Sequence, residues 1–195
     1  MKSLLHVVAT LLMLPVIAWF WIVSTVSSKD QALTTCSQGL SRLPGLTGCY
    51  LRSAFYASVL EEFHPTARLE YGTLLSKCSA RIKQNVYVGP YCLLGLVTLH
   101  EDVLLGPAVQ IPSGGRIHGI DSLDEPIRNQ PGAIQRTTIG RNCWIGGQAV
   151  VLADVEEQTV IGAGSVVTKA LPPRVVAAGN PAVVIRSRET SSQAS

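Results

Sequence analysis

Residues 137–169 read TTIGRNCWIGGQAVVLADVEEQTVIGAGSVVTK, and this stretch decides the fold. An aliphatic residue followed by glycine recurs at six-residue intervals in Ile139-Gly140 and Ile145-Gly146, and returns after a slip in spacing at Ile161-Gly162. Glycine at this density disfavours a helix, because each costs about 1 kcal/mol relative to alanine. The spacing instead predicts short strands, one in each hexad, joined by tight turns.

The same pattern extends upstream to about Leu69, through Val88-Gly89, Leu94-Gly95 and Leu105-Gly106. Short side chains recur four positions after the aliphatic residue: Cys92, Thr98, Val109, Cys143, Ala149, Val155 and Ser165. Three hexads would close one coil of a parallel β-helix, with the aliphatic residues stacked inside. Such a repeat buries its core only by stacking on its neighbours. The period leaves the hand of the helix open.

Three segments carry a resemblance to a known family. CWIGGQAVV (143–151), VIGAGSVVTKALPP (160–173) and AAGNPAVVIRSR (177–188) resemble the later coils and closing motif of the hexapeptide-repeat acyltransferases. The order of the last two is typical of the branch that holds xenobiotic, maltose and galactoside acetyltransferases. This resemblance implies a left-handed parallel β-helix, acetyl-CoA as donor, no metal, and a homotrimer with its sites between subunits.

The repeat is interrupted by residues 113–137, SGGRIHGIDSLDEPIRNQPGAIQRT. The resemblance implies that this loop leaves the solenoid and carries the catalytic base, which would be His118. Imidazole titrates near working pH and can accept a hydroxyl proton during acyl transfer. Asp121 is the candidate to orient it. His100, on a regular hexad, is the other candidate base, although a partly exposed turn residue is the simpler interpretation.

The resemblance also places the coenzyme along the last coils. Small side chains there would let the backbone approach the thioester arm, and Lys169 and Arg186 would supply cations for its phosphates. The implied coenzyme-binding residues are Trp144, Gly146, Ala163, Gly164, Ser165, Lys169, Asn180 and Arg186. Simple packing of Trp144 and a solvated Lys169 are the alternatives.

Residues 4–26, LLHVVATLLMLPVIAWFWIVSTV, contain no Lys, Arg, Asp or Glu. As a helix they would span about 35 Å, enough to cross a bilayer core. We expect a retained membrane anchor rather than a cleaved signal peptide, because the run is longer than the apolar core of a signal. Pro15 leaves a shallow or re-entrant insertion open. Lys29, Arg42 and Arg52 follow the run, which favours a cytoplasmic catalytic domain.

After the anchor, Leu51, Phe55, Val59 and Phe63 form one apolar stripe at helical spacing. This short amphipathic helix either lies on the membrane surface or covers the end of the repeat domain. The predicted organisation is an anchor over 1–30, an amphipathic or linker region over 31–66, the repeat domain over 67–187 and a flexible tail over 188–195.

Composition excludes some functions. A net charge of +3 without a basic stripe gives no basis for nucleic-acid binding. Five cysteines without Cys-x-x-Cys favour buried thiols over a disulfide framework or a zinc ribbon.

The expected activity is acetyl transfer from acetyl-CoA to a hydroxyl or amine of a sugar or glycan. The alternatives are a non-catalytic scaffold and a γ-class carbonic anhydrase, whose His-x-x-x-x-His pair is missing from the sequence.

Overall fold

The computed structural model describes residues 2–189; residues 190–195, most of the predicted tail, lie outside it. The chain begins with three helices, α1 (Lys2–Val26), α2 (Lys29–Ser41) and α3 (Gly45–Val59). Short strands follow and form three parallel sheets, which are the faces of a left-handed parallel β-helix of about six coils. The predicted fold is therefore confirmed, and the structure adds α2 to the helices expected before the repeat.

The three faces are named A, B and C in the order in which the chain visits them. Face A contains β1 (Glu62–Phe63), β4 (Arg81–Ile82), β7 (Val97–Leu99) and β10 (Thr137–Ile139). Face B contains β2 (Arg68–Leu69), β5 (Tyr87–Val88), β8 (Leu104–Leu105), β11 (Trp144–Ile145), β13 (Val160–Ile161), β15 (Val175–Gly179) and the antiparallel β16 (Ala182–Ser187). Face C contains β3 (Leu74–Leu75), β6 (Leu93–Leu94), β9 (Gln110–Ile111), β12 (Val150–Val151) and β14 (Val166–Val167). The solenoid thus begins at β1, slightly before the predicted boundary at residue 67.

The slips in the repeat are short corners between faces C and A. Val88 pairs with Leu105, 17 residues further on, whereas Ile145 pairs with Ile161 after 16 residues. Coils of unequal length still stack, because the shorter corners leave the strand register unchanged. The interior is the predicted aliphatic column; Leu69, Val88, Leu105, Ile145 and Ile161 are all at most 1% exposed.

Many corners require a left-handed backbone conformation. Asn85, Asp102 and Asn142 have φ between 53° and 61°, the region in which Asn and Asp are best tolerated among residues with a side chain. Asn85, Asp102 and Asn142 are at corners between faces A and B, whereas Tyr91, with φ of 61°, is at a corner between faces B and C; this φ is uncommon for a bulky residue.

Helices α2 and α3 cover the open end of the first coil. Phe55 and Tyr56 are fully buried, and the Tyr56 hydroxyl lies 2.8 Å from Ser37 Oγ. Ser37 Oγ also accepts a hydrogen bond from the backbone N–H of Leu75 at 3.0 Å. The predicted amphipathic helix therefore uses its apolar face to close the solenoid, one of the two alternatives considered.

Arg52 joins these helices to the first coil. Its side chain is fully buried, and its guanidinium donates hydrogen bonds to the carbonyls of Leu40 (3.1 Å), Leu43 (2.6 Å) and Leu69 (3.1 Å). Arg52 therefore stabilises the contact between the helices and the first coil. It is not one of the surface charges that were expected to favour a cytoplasmic catalytic domain.

Helix α1 lies along α2 and α3. Ala9, Met13 and Phe20 are buried against them, and Phe20 meets the Phe55 ring edge-on at 6.0 Å. The opposite side of α1 exposes large apolar side chains: Leu5, Val7, Val8, Leu11, Leu12, Leu14, Trp19, Trp21, Ile22 and Val26. Within residues 2–189, Leu5–Val26 is one segment long and apolar enough to cross a membrane, with a mean hydropathy of 2.3.

The cysteines belong to the core of the fold. Cys36, Cys49, Cys92 and Cys143 are buried, as predicted, and Cys78 is half-buried. Burial raises the pKa of Cys92 and of Cys143 to about 11, so both remain neutral thiols at physiological pH.

Candidate functional site

The loop of residues 113–137 leaves the solenoid at the edge between faces C and A, after β9. Its two ends run side by side: Ala133 N donates to Arg116 O at 2.7 Å, and Gln135 N donates to Ser113 O at 2.9 Å. The loop therefore starts and ends as a paired ribbon, and it returns the chain to face A in register for β10.

Gln130 organises the tip of the loop, a role that sequence reasoning missed. Its side chain is buried; Nε2 donates to the carbonyls of Ser122 (2.8 Å) and Glu125 (2.9 Å), and Oε1 accepts from Ser122 N at 3.0 Å. Both polar atoms of the side-chain amide form hydrogen bonds within the loop, so the buried Gln130 stabilises the conformation of the loop tip. A lone glutamine in a polar segment gave no signal of this.

Gly132 lies against the backbone segment that carries His118. A Cβ at Gly132 would overlap the carbonyl of Ile117 and approach His118 N to 2.7 Å. The two arms of the ribbon touch here, and only glycine leaves room for the contact. The Pro131-Gly132 dipeptide is a turn signal, but the sequence does not identify its partner.

His118 is exposed and lies on the wall of a slot of about 500 Å³. One side of this slot is α2 (Thr34, Gln38), the floor is the outer surface of face C (Leu74, Leu93), and the loop closes the end. The lining is mostly apolar, with the imidazole at its margin. A substrate held in this slot would meet His118 at the loop end.

Asp121 is exposed and lies outside the residues that line the slot. His100 is placed elsewhere, at the end of β7 on face A, where Nδ1 lies 3.6 Å from Glu101 Oε2. It lines a separate depression of about 340 Å³ together with Arg141 and Glu157. The two candidate histidines therefore belong to different surfaces, and among residues 2–189 no three His, Cys, Asp or Glu side chains converge as metal ligands.

The residues implied for coenzyme binding fall into two groups. Trp144 is on the outer side of face B, 55% exposed, in one row with Val160, Val176 and Arg186 across neighbouring strands. The B–C corner beside this face carries Gly146, Ala163, Gly164 and Asn180, the last in a cis peptide bond with Pro181. Lys169 is exposed on the other side of face C, at the same C–A edge that the loop leaves.

Two of the small residues have clear packing roles. A Cβ at Gly146 would lie 2.8 Å from the Cα of Ala163, so this glycine allows neighbouring coils to stack. Ser165 is buried, and its hydroxyl accepts a hydrogen bond from Gly179 N at 3.1 Å. Ala163 and Gly164 are exposed, with open space beside Gly164, so they form the accessible part of this corner.

Comparison with known proteins gives the fold a name. No family model matches the chain. A galactoside O-acetyltransferase of Escherichia coli (strain K12) is 42% identical over 93 residues, which is 46% of this chain and 43% of that protein. The crystal structure of a maltose O-acetyltransferase from Clostridium difficile 630 superposes with a TM-score of 0.67 at 24% identity, covering 84% of this chain and 90% of the other.

A galactoside acetyltransferase solved in complex with coenzyme A superposes with a TM-score of 0.51 at 24% identity, covering 83% of this chain and 84% of the other. The fold is that of the hexapeptide-repeat acyltransferases. The predicted resemblance is thereby confirmed. The chain spans about half the length, or less, of the curated relatives that it matches.

Proposed function

We propose that this protein transfers an acetyl group from acetyl-CoA to a hydroxyl of a sugar or glycan. The observation that carries this proposal is the position of His118, on a loop inserted into a hexapeptide-repeat solenoid and at the end of a slot wide enough for a small acceptor. Proteins similar to this chain include a galactoside O-acetyltransferase and a maltose O-acetyltransferase. The solved galactoside acetyltransferase is in complex with coenzyme A.

In the proposed reaction, neutral His118 accepts the proton of the acceptor hydroxyl as its oxygen attacks the thioester carbonyl. The tetrahedral intermediate collapses, the carbon–sulfur bond breaks, and the imidazolium returns the proton to the departing sulfur. Free coenzyme A and the acetyl ester leave, and the base is regenerated. Removing the imidazole should cost about 10²–10⁴-fold in turnover.

We place the coenzyme in a cleft between two subunits. Lys169 lies at the C–A edge and Arg186 on the outer side of face B, so the two cations face different sides of one solenoid. If the C–A edge of one subunit faces face B of the next, then Lys169 of one chain and the Trp144–Arg186 row of the other border the same cleft. Face B exposes Leu104 and Trp144.

The loop exposes a second apolar patch, which includes Ile120 and Leu123. Contact between two different patches is heterologous, and a heterologous contact forms a ring when its rotation closes. This supports the homotrimer that the family resemblance implies.

Helix α1 supports a further part of the proposal, attachment to a membrane. Because α1 packs against α2 and α3 along its length, we place it in the plane of the interface, with its exposed apolar face in the lipid, rather than across the bilayer. Lys29 follows the helix and lies 5.2 Å from the Trp21 ring, where it would reach lipid headgroups. The cytoplasmic position of the catalytic domain stays a prediction, which now rests on Lys29 and Arg42 because Arg52 is buried.

The test uses His118→Ala with acetyl-CoA and a sugar acceptor. Turnover should fall by about 10²–10⁴-fold, while the dissociation constant for acetyl-CoA, measured by calorimetry, stays within about twofold. His100→Ala is the matched control and should retain normal turnover. Loss of activity in the His100 variant together with normal activity in the His118 variant would refute the assignment.

The subunit arrangement has its own test. Lys169→Ala and Arg186→Ala should each weaken acetyl-CoA binding more than turnover. When the two weakly binding variants are mixed, reassembled and assayed at low acetyl-CoA, about a quarter of the clefts regain both cations if these come from different subunits. Recovery of activity on mixing supports the shared cleft, and absence of recovery in demonstrated mixed trimers contradicts it.

A further inference from the structure

The slot beside His118 is one end of a longer groove. A second depression of about 560 Å³ adjoins it, and both are lined by Gln38 and Leu74. The second depression adds Arg42, Tyr71 and Tyr91. The groove therefore follows α2 across face C, from a tyrosine pair at the B–C corner to His118 at the loop.

The tyrosine end has a fixed geometry. The rings of Tyr71 and Tyr91 meet edge-to-face, with centroids 5.7 Å apart and an interplanar angle of 87°. Tyr91 N donates to Tyr71 O at 3.0 Å, and Gly72 N donates to Ser41 O at 2.8 Å, which ties the corner to α2. A Cβ at Gly72 would lie 2.7 Å from Tyr91 Cε1, so this glycine leaves the space that the ring occupies.

Tyr91 is also an unusual choice for its backbone position. Its φ of 61° is in the left-handed region, where Asn, Asp or Gly costs less. The corresponding position of the other B–C corners is Gly72, Ala108, Gln148 or Gly164, all with positive φ, so the corner sets this backbone and the exposed aromatic ring is what distinguishes Tyr91. Tyr91 is 59% exposed, so burial does not account for the ring.

The chemistry of the groove fits a carbohydrate. The apolar C–H face of a sugar ring packs on an aromatic ring, and its hydroxyls pair with an amide and a guanidinium, which Gln38 and Arg42 provide at the groove edge. Phosphate is a poorer match in the middle of the groove, because Lys77 Nζ is already paired with Asp30 Oδ2 at 2.9 Å.

The length of the groove exceeds one sugar. From Tyr91 to Gly95 the chain crosses face C through β6, at most about 13 Å at 3.3 Å per residue, and His118 lies on the loop beyond that corner. We propose that the groove binds an oligosaccharide acceptor, with one sugar on the Tyr71–Tyr91 pair while the reacting hydroxyl of another meets His118. This inference rests on the proposed acetyl transfer and specifies the acceptor class.

The experiment measures kcat/KM with acetyl-CoA for a ladder of maltooligosaccharides, from glucose to maltohexaose, and for a matching galactooligosaccharide ladder. In the wild type, kcat/KM should rise with chain length in at least one ladder. Tyr91→Asn, which suits the left-handed corner, should lose about tenfold on the long acceptors and leave the monosaccharide unchanged. Tyr91→Phe should retain the length dependence.

The outcomes separate the two proposals. A flat length dependence in the wild type, or an equal loss on short and long acceptors in Tyr91→Asn, overturns the groove and leaves acetyl transfer standing. Binding of acetyl-CoA without transfer to any sugar overturns the proposed function and the acceptor class together. A separate calorimetric titration of the longest acceptor from the ladder with length dependence into His118→Ala should still show binding, weakened about tenfold by adding Tyr91→Asn.

Discussion

Gly132→Ala tests whether the loop ribbon positions His118. The added methyl would lie 2.2 Å from Ile117 O and 2.7 Å from His118 N, whereas an ordinary contact is about 3.5 Å, so the segment that carries His118 must move by roughly 1.3 Å. A displacement of about 1 Å at a catalytic group costs on the order of 10²-fold in rate. We therefore expect acetyl transfer to fall by about 10²-fold, equivalent to about 2.7 kcal/mol of activation free energy.

The assay compares steady-state acetyl transfer with acetyl-CoA affinity, which should stay within about twofold because the coenzyme residues are on other coils. Gly115→Ala is the matched control: it lies in the same loop, and its added Cβ would meet only Leu152 atoms, at 3.6 and 3.9 Å. Normal turnover in Gly132→Ala would refute the positioning role. An equal loss in Gly115→Ala would show instead that the loop tolerates no added methyl, whatever its contacts.

Two other predictions concern the helical end of the molecule. Burial raises the pKa of Tyr56 to about 12, against about 10 in an unfolded chain, so the unfolded chain releases the phenol proton first. The Tyr56 contribution to the free energy of unfolding should therefore decline between about pH 10 and 12, in addition to the decline from about pH 9 that the buried thiols of Cys92 and Cys143 cause. Tyr56→Phe should remove the Tyr56 part of this decline in urea titrations, so the variant should lose less stability than the wild type between about pH 10 and 12. Helix α1 should carry the protein onto anionic phospholipid vesicles in flotation assays. Leu12→Glu places a charge on the exposed apolar face of α1 and should reduce flotation severalfold. Gln84→Glu adds the same charge on a solenoid corner and should leave flotation unchanged. Flotation unaffected by Leu12→Glu would contradict the membrane role of that face.

The repeat was readable because each hexad is a local unit. The inward aliphatic residue, the small corner residue and the glycine bend recur regardless of what lies far away in the chain, so the predicted column of Leu69, Val88 and Ile145 matches the observed core. The loop was also visible, since it is where the repeat breaks. The repeat spacing slips near residues 94–105 and 151–161, but the sequence does not show which corner of the coil is shorter there. The structure shows it, because the pairing of each strand with its neighbours fixes the position of every corner.

The N-terminal third was read less completely. Its hydropathy identifies α1 as apolar on all sides, but one face packs on α2 and α3 while the other remains exposed. Helix α2 has a mixed sequence whose Ser28–Gln31 capping box marks its start, yet its burial depends on α1 and the first coil. Arg52 looked like a flanking surface charge, although it binds three backbone carbonyls that are brought together only by folding.

The sequence by itself therefore determined the solenoid, its stacking core, the break at residue 113 and His118 as the residue carried into that break. Tertiary structure decided which surfaces these residues share. His118 lines a slot with α2 and face C, Lys169 and Arg186 lie on different sides of the solenoid, and Gly132 allows the loop arms to touch. The physical reason is that hexad spacing is a local property of the chain, whereas a groove forms between segments that are far apart in the sequence. The position of the groove depends on the length of each coil and on the packing at every corner between those segments.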